Sequence, residues 1–102
     1  MKKILIALLT LAVHNAADAC TISASTYVAN QGDSIGFTVQ TDSSATRGVT
    51  QYGYQFYPEN GYASFTDEVQ ECGSRRFAVW IEIKNGTKQD FCQTDPIEVA
   101  CN

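Results

Sequence analysis

Histidine is nearly absent from this 102-residue chain, and its one copy, His14, lies in an N-terminal stretch that reads as removable. That shortage excludes much. A Ser-His-Asp or Cys-His nucleophile system needs an imidazole to take the proton. Histidine-based zinc and copper sites need one as a ligand. Basic residues are scarce too. Seven Lys and Arg stand against eleven Asp and Glu; taking away Lys2, Lys3 and Asp18 leaves five against ten, a formal charge of −5 past residue 19. Nucleic acid is held by neutralising phosphates, so neither DNA nor RNA is an expected partner. The one basic cluster, Arg75-Arg76, is read as solvating the start of a strand. No credible helical pattern, repeat, linker or low-complexity tract follows residue 19.

The N-terminus carries Lys2-Lys3, an apolar run over Ile4–Val13 and the small-x-small triplet Ala17-Asp18-Ala19. This is the layout of an export signal. The run is shorter than the about 20 residues a membrane-spanning helix needs. The expectation is a cleaved, bacterial-type signal peptide over 1–19 and one small domain over 20–102, secreted or periplasmic. Membrane contact is expected only through the signal. Lipidation of Cys20 is the lesser alternative: Ala17 stands where lipoprotein signals favour a leucine-like residue, and a lipid would leave an odd number of cysteines.

Four cysteines, Cys20, Cys72, Cys92 and Cys101, all follow the signal. An even count in a small exported chain reads as two disulfides, with three pairings open. Zinc is a poor fit, since no C-x-x-C occurs and Cys92 and Cys101 are too widely spaced. No metal and no cofactor are expected. Paired carboxylates could still do acid–base work, but Asp67, Glu68 and Glu71, which sit together on a polar stretch, read as a solvated acidic edge. So small a chain also has little room for a ligand pocket of several hundred Å³. A catalytic role is not expected.

The rest alternates with period two. Ile22, Ala24 and Val28 share one side of a first strand. Asn30-Gln31-Gly32-Asp33 is a turn, and Ile35, Phe37 and Val39 face inward on the next strand. Thr41–Gly48 reads as a loop. Val49–Tyr57 alternates as a strand, with Tyr52, Tyr54 and Phe56 on one face and Gln51, Gly53, Gln55 and Tyr57 on the other. Pro58-Glu59-Asn60-Gly61 stops it. Tyr62–Val69 is a weaker strand through Ala63 and Phe65, and Glu71–Ser74 is a loop. Phe77–Lys84 is the strongest strand: Phe77, Val79, Ile81 and Ile83 face one way, Ala78, Trp80, Glu82 and Lys84 the other. Asn85-Gly86 is a favoured hairpin pair; with Thr87 it also spells a glycosylation triplet, but the turn explains it. The return strand covers Lys88–Gln93, kinks at Asp95-Pro96 and resumes at Ile97–Cys101.

Six or seven short strands predict an all-β fold, a small antiparallel β-sandwich with two disulfides. The segments Arg76–Gly86 and Asp95-Pro-Ile-Glu-Val99 resemble the last hairpin of immunoglobulin-like domains of the PKD or fibronectin type III kind. The resemblance implies an immunoglobulin-like sandwich over 20–102. It also implies a disulfide pairing: Cys20 with Cys92, and Cys72 with Cys101, the latter helped by one bulge near Asp95-Pro96. Trp80, out of phase with its apolar neighbours, joins Tyr57, Gln55 and Gln51 on an outer face where Gly53 leaves a gap. Flat rings beside amides suit a protein or carbohydrate ligand. The expected function is an exported, non-catalytic binding module. The alternative is a small inhibitor or immunity-type protein inserting Thr41–Gly48 or Pro58–Gly61 into a secreted enzyme.

Overall fold

Alternating side chains carry the chain into ten strands, with no helix among the described residues. The structure, a computed structural model, describes residues 20–83 and 88–102. The expected signal peptide, the Asn85-Gly86 turn and the glycosylation triplet lie outside them. The strands are β1 (Thr21–Ala24), β2 (Val28–Asn30), β3 (Ser34–Gln40), β4 (Ala45–Thr50), β5 (Gln55–Phe56), β6 (Tyr62–Glu68), β7 (Gly73–Arg75), β8 (Ala78–Ile83), β9 (Lys88–Gln93) and β10 (Ile97–Ala100).

They form three sheets, ordered β1-β3-β6, β2-β10-β7 and β5-β4-β8-β9. The second and third sheets share two strand lines, because β7 runs into β8 and β9 into β10. At the join Ala78 faces Gln93 and Arg75 faces Ile97, so Arg76 and Phe77 lie opposite three residues, Thr94, Asp95 and Pro96. This is a bulge of one residue. Buried Thr94 closes it: its hydroxyl accepts from the Phe77 amide at 3.1 Å and its own amide donates to the Phe77 carbonyl at 3.0 Å.

The core lies between the first sheet and the other two. Ile22, Ile35, Phe37, Val39, Ala63 and Phe65 meet Phe56, Phe77, Val79, Ile81, Ile97 and Val99. Phe37 stacks on Phe77 with centroids 4.0 Å apart, and Phe56 on Phe65 at 4.6 Å. Each buried side chain of this size contributes about 1.5–3 kcal/mol. Two disulfides add covalent ties. Cys20–Cys92 joins the start of β1 to β9 (Cα–Cα 5.9 Å), and Cys72–Cys101 joins the residue before β7 to the residue after β10 (5.0 Å).

Several expectations need correction. The pairing is not antiparallel throughout: β2 runs parallel to β10, Val28 facing Glu98 and Asn30 facing Ala100. The chain leaves the first sheet after Ser25, whose amide donates to Gly36 at 2.8 Å. It reaches the second at Tyr27, whose carbonyl accepts from Glu98 at 2.9 Å. It keeps its direction across this gap and so arrives parallel. Val28, expected to share a side with Ile22 and Ala24, is 68% exposed for the same reason.

Val49–Tyr57 is a hairpin, not one strand. β4 ends at Thr50, Gly53 takes φ +89°, and β5 returns along β4, Gly48 facing Phe56 and Val49 facing Gln55. The Thr50 hydroxyl fastens the turn by accepting from the Tyr52 and Tyr54 amides, each at 3.2 Å. The loop expected over Thr41–Gly48 shrinks as well, since β4 begins at Ala45. Asp67 does not belong to a solvated acidic edge: it accepts a 2.9 Å bond from the buried Thr50 hydroxyl.

Candidate functional site

The register of the third sheet builds one face residue by residue. Gln55 faces Val49, Val49 faces Trp80, and Trp80 faces Phe91. Directly opposed residues share a face. The four side chains therefore form a row across β5, β4, β8 and β9, on the side away from Val79 and Ile81. Trp80 is 42% and Phe91 46% exposed, with ring centroids 5.2 Å apart and planes tilted by 52°. In the neighbouring row Arg47 pairs with Glu82 at 3.3 Å, and Gln89 faces Glu82. A shallow depression runs between these rows, lined by Arg47, Val49, Trp80, Glu82 and Gln89.

The four residues singled out from the sequence fare differently. Trp80 and Gln55 lie in one row. Tyr57, just past β5, is exposed, and its hydroxyl donates to the Gln55 side-chain oxygen at 3.3 Å. Gln51 is spent on structure: its side-chain oxygen accepts from the Ala78 amide at 2.6 Å, and its backbone amide donates to the Ala78 carbonyl at 3.1 Å. Gly53 leaves no gap beside the rings; it sits in the β4–β5 turn with open space around it. Tyr57 and Gln55 do not neighbour Trp80 directly, because β4 lies between β5 and β8.

Phe91 and Gln89 escaped the sequence reading. The signal was present: pairing back across Asn85-Gly86 sets residue 91 opposite 80 and 89 opposite 82. The segments expected to insert into an enzyme are short and braced. Asp42 accepts from the Ser44 amide and hydroxyl at 2.8 and 2.6 Å, and Glu59 and Tyr62 exchange backbone bonds across Asn60-Gly61.

Cys20 is buried and its sulfur is bonded to Cys92. Among the described residues no three His, Cys, Asp or Glu converge on a common point where they could hold a metal ion. Among the described residues the outer face presents apolar rings, planar amides and one ion pair. No family model, curated protein or solved structure matches the chain.

Proposed function

We propose that residues 20–102 are an exported binding module built as an immunoglobulin-like sandwich, taking its ligand on the outer face of the β5-β4-β8-β9 sheet. The strand order supports the fold reading. β1-β3-β6 follows the A-B-E order of such domains, and β4-β8-β9 their C-F-G order, with β5 in the added edge position. The two disulfides support export, since such bridges persist in oxidising compartments. The observation that carries the function is the row Phe91–Trp80–Val49–Gln55. Two half-exposed aromatics side by side on a sheet face are a ready anchor for binding.

The test is capture. The immobilised, disulfide-bonded protein is exposed to extracellular and periplasmic extracts alongside Trp80→Ala, whose fold is checked by circular dichroism. Ligand retained by the parent and lost from Trp80→Ala supports the module. Equal retention by both removes the site. If the retained molecule is an enzyme whose activity falls stoichiometrically, the inhibitor reading replaces it.

A further inference from the structure

The chemistry of the outer face narrows its ligand. We infer that it binds a neutral glycan, a conclusion that rests on the binding face proposed above. The chain past residue 19 carries a formal −5, yet among the described residues this face carries no net charge. Its only ionised side chains, Arg47 and Glu82, neutralise each other at 3.3 Å. Its exposed remainder includes the aromatic rings of Trp80 and Phe91 and the amides of Gln55 and Gln89.

A sugar ring presents an apolar C–H face and a rim of hydroxyls that both donate and accept. Aromatic rings cover the first, and glutamine amides, which also donate and accept, match the second. Among the described residues, an anionic polymer would meet the acidic chain and no unpaired cation on this face. A cationic one would find no unpaired anion among the same residues. Strands lie about 4.8 Å apart, so the row spans about 14 Å, the length of roughly three sugar rings.

Affinity electrophoresis and a neutral-oligosaccharide array test this with the mature, bridged protein. At least one neutral glycan should retard it, and Trp80→Ala should weaken that binding tenfold or more. Val28→Ala, on a different sheet, should leave it unchanged. Absence of any neutral-glycan binding, or equal binding by Trp80→Ala, overturns the proposal. If a protein is then captured through Trp80, the glycan is wrong and the module stands; if nothing is captured, both fall.

The bridges carry a second proposal, which rests on the export proposed above. They interleave: the first cysteine pairs with the third and the second with the fourth. We propose that the chain depends on a thiol–disulfide isomerase. Export presents the N-terminus first, so Cys20 and Cys72 reach the oxidant before their native partners. Their two thiols pass two electrons and two protons to an oxidase disulfide, leaving a Cys20–Cys72 bridge. An isomerase thiolate then attacks Cys20, releasing the Cys72 thiolate. The Cys92 thiolate displaces the isomerase, with no net electron transfer. Cys72 and Cys101 are oxidised last. Secretion from cells lacking the isomerase should accumulate Cys20–Cys72 peptides and lose at least half the native product. Cys72→Ser/Cys101→Ser, with one possible bridge, should be indifferent. Equal native yield without isomerase, or a full-length product with four free thiols, overturns the dependence.

Discussion

Gly48 is buried, and a Cβ built on it would run into the Phe56 ring. Phe56 in turn stacks on Phe65, so the missing side chain is what lets β5 close over the core. Gly48→Ala is expected to lower stability by about 1–3 kcal/mol, the usual cost of overpacking, read from the denaturant midpoint. Thr50 does comparable work through polarity. Its hydroxyl serves Asp67 and two turn amides at once. Thr50→Val keeps the shape and strands those partners, so the expected loss is about 1–3 kcal/mol by the same measurement. Trp80 is the contrast. Half exposed, it can be truncated to Ala with a change in stability within about 1 kcal/mol, well short of a core aromatic; thermal unfolding of Trp80→Ala checks this before any binding result is interpreted.

Turns decide which strands meet. Asn60 and Gly61 adopt φ of 55° and 78°, and Glu59 and Tyr62 exchange hydrogen bonds across them. This is the two-residue hairpin geometry that asparagine–glycine favours. A Cβ at Gly61 would also collide with the Thr41 carbonyl. Gly61→Ala is therefore expected to cost more than the about 1–2 kcal/mol of left-handed backbone alone. Gly53→Ala, with open space around it, should cost no more than that; the difference in their midpoints is the test. The Pro58–Gly61 turn was legible because its residues impose their own φ values. The turn inside Val49–Tyr57 was hidden. Alternation continues through it, so period two marked both arms of a hairpin as one strand, and only Gly53 and the hydroxyl of Thr50 broke the pattern.

At the scale of the molecule, the two bridges close loops of 72 and 29 residues. On the chain-entropy account they contribute about 4.5 and about 3.5 kcal/mol. Replacing Cys20 and Cys92 by Ser should thus destabilise more than replacing Cys72 and Cys101. Reduction should run in the opposite order. Cys20 and Cys92 are 4% and 8% exposed, while Cys101 is exposed and Cys72 only partly covered. Limited dithiothreitol followed by alkylation and peptide mapping should label Cys72 and Cys101 first.

Composition and periodicity alone determined the all-β class, the identity of most core residues (Ile35, Phe37, Val39, Val79 and Ile81 among them) and the presence of two disulfides. These follow from single-residue properties: an apolar side chain every second position has one face to bury, and thiols in pairs oxidise. Tertiary structure decided the rest. The switch of the chain between sheets at Ser25–Tyr27 and the parallel β2–β10 pair both depend on partners far away in sequence. So does the site. Trp80 announced itself by its phase, but Phe91 joined it and Gln51 left it only when strand register assigned each a neighbour, because a side chain is available to a ligand only after the fold has settled which of its bonds are already taken.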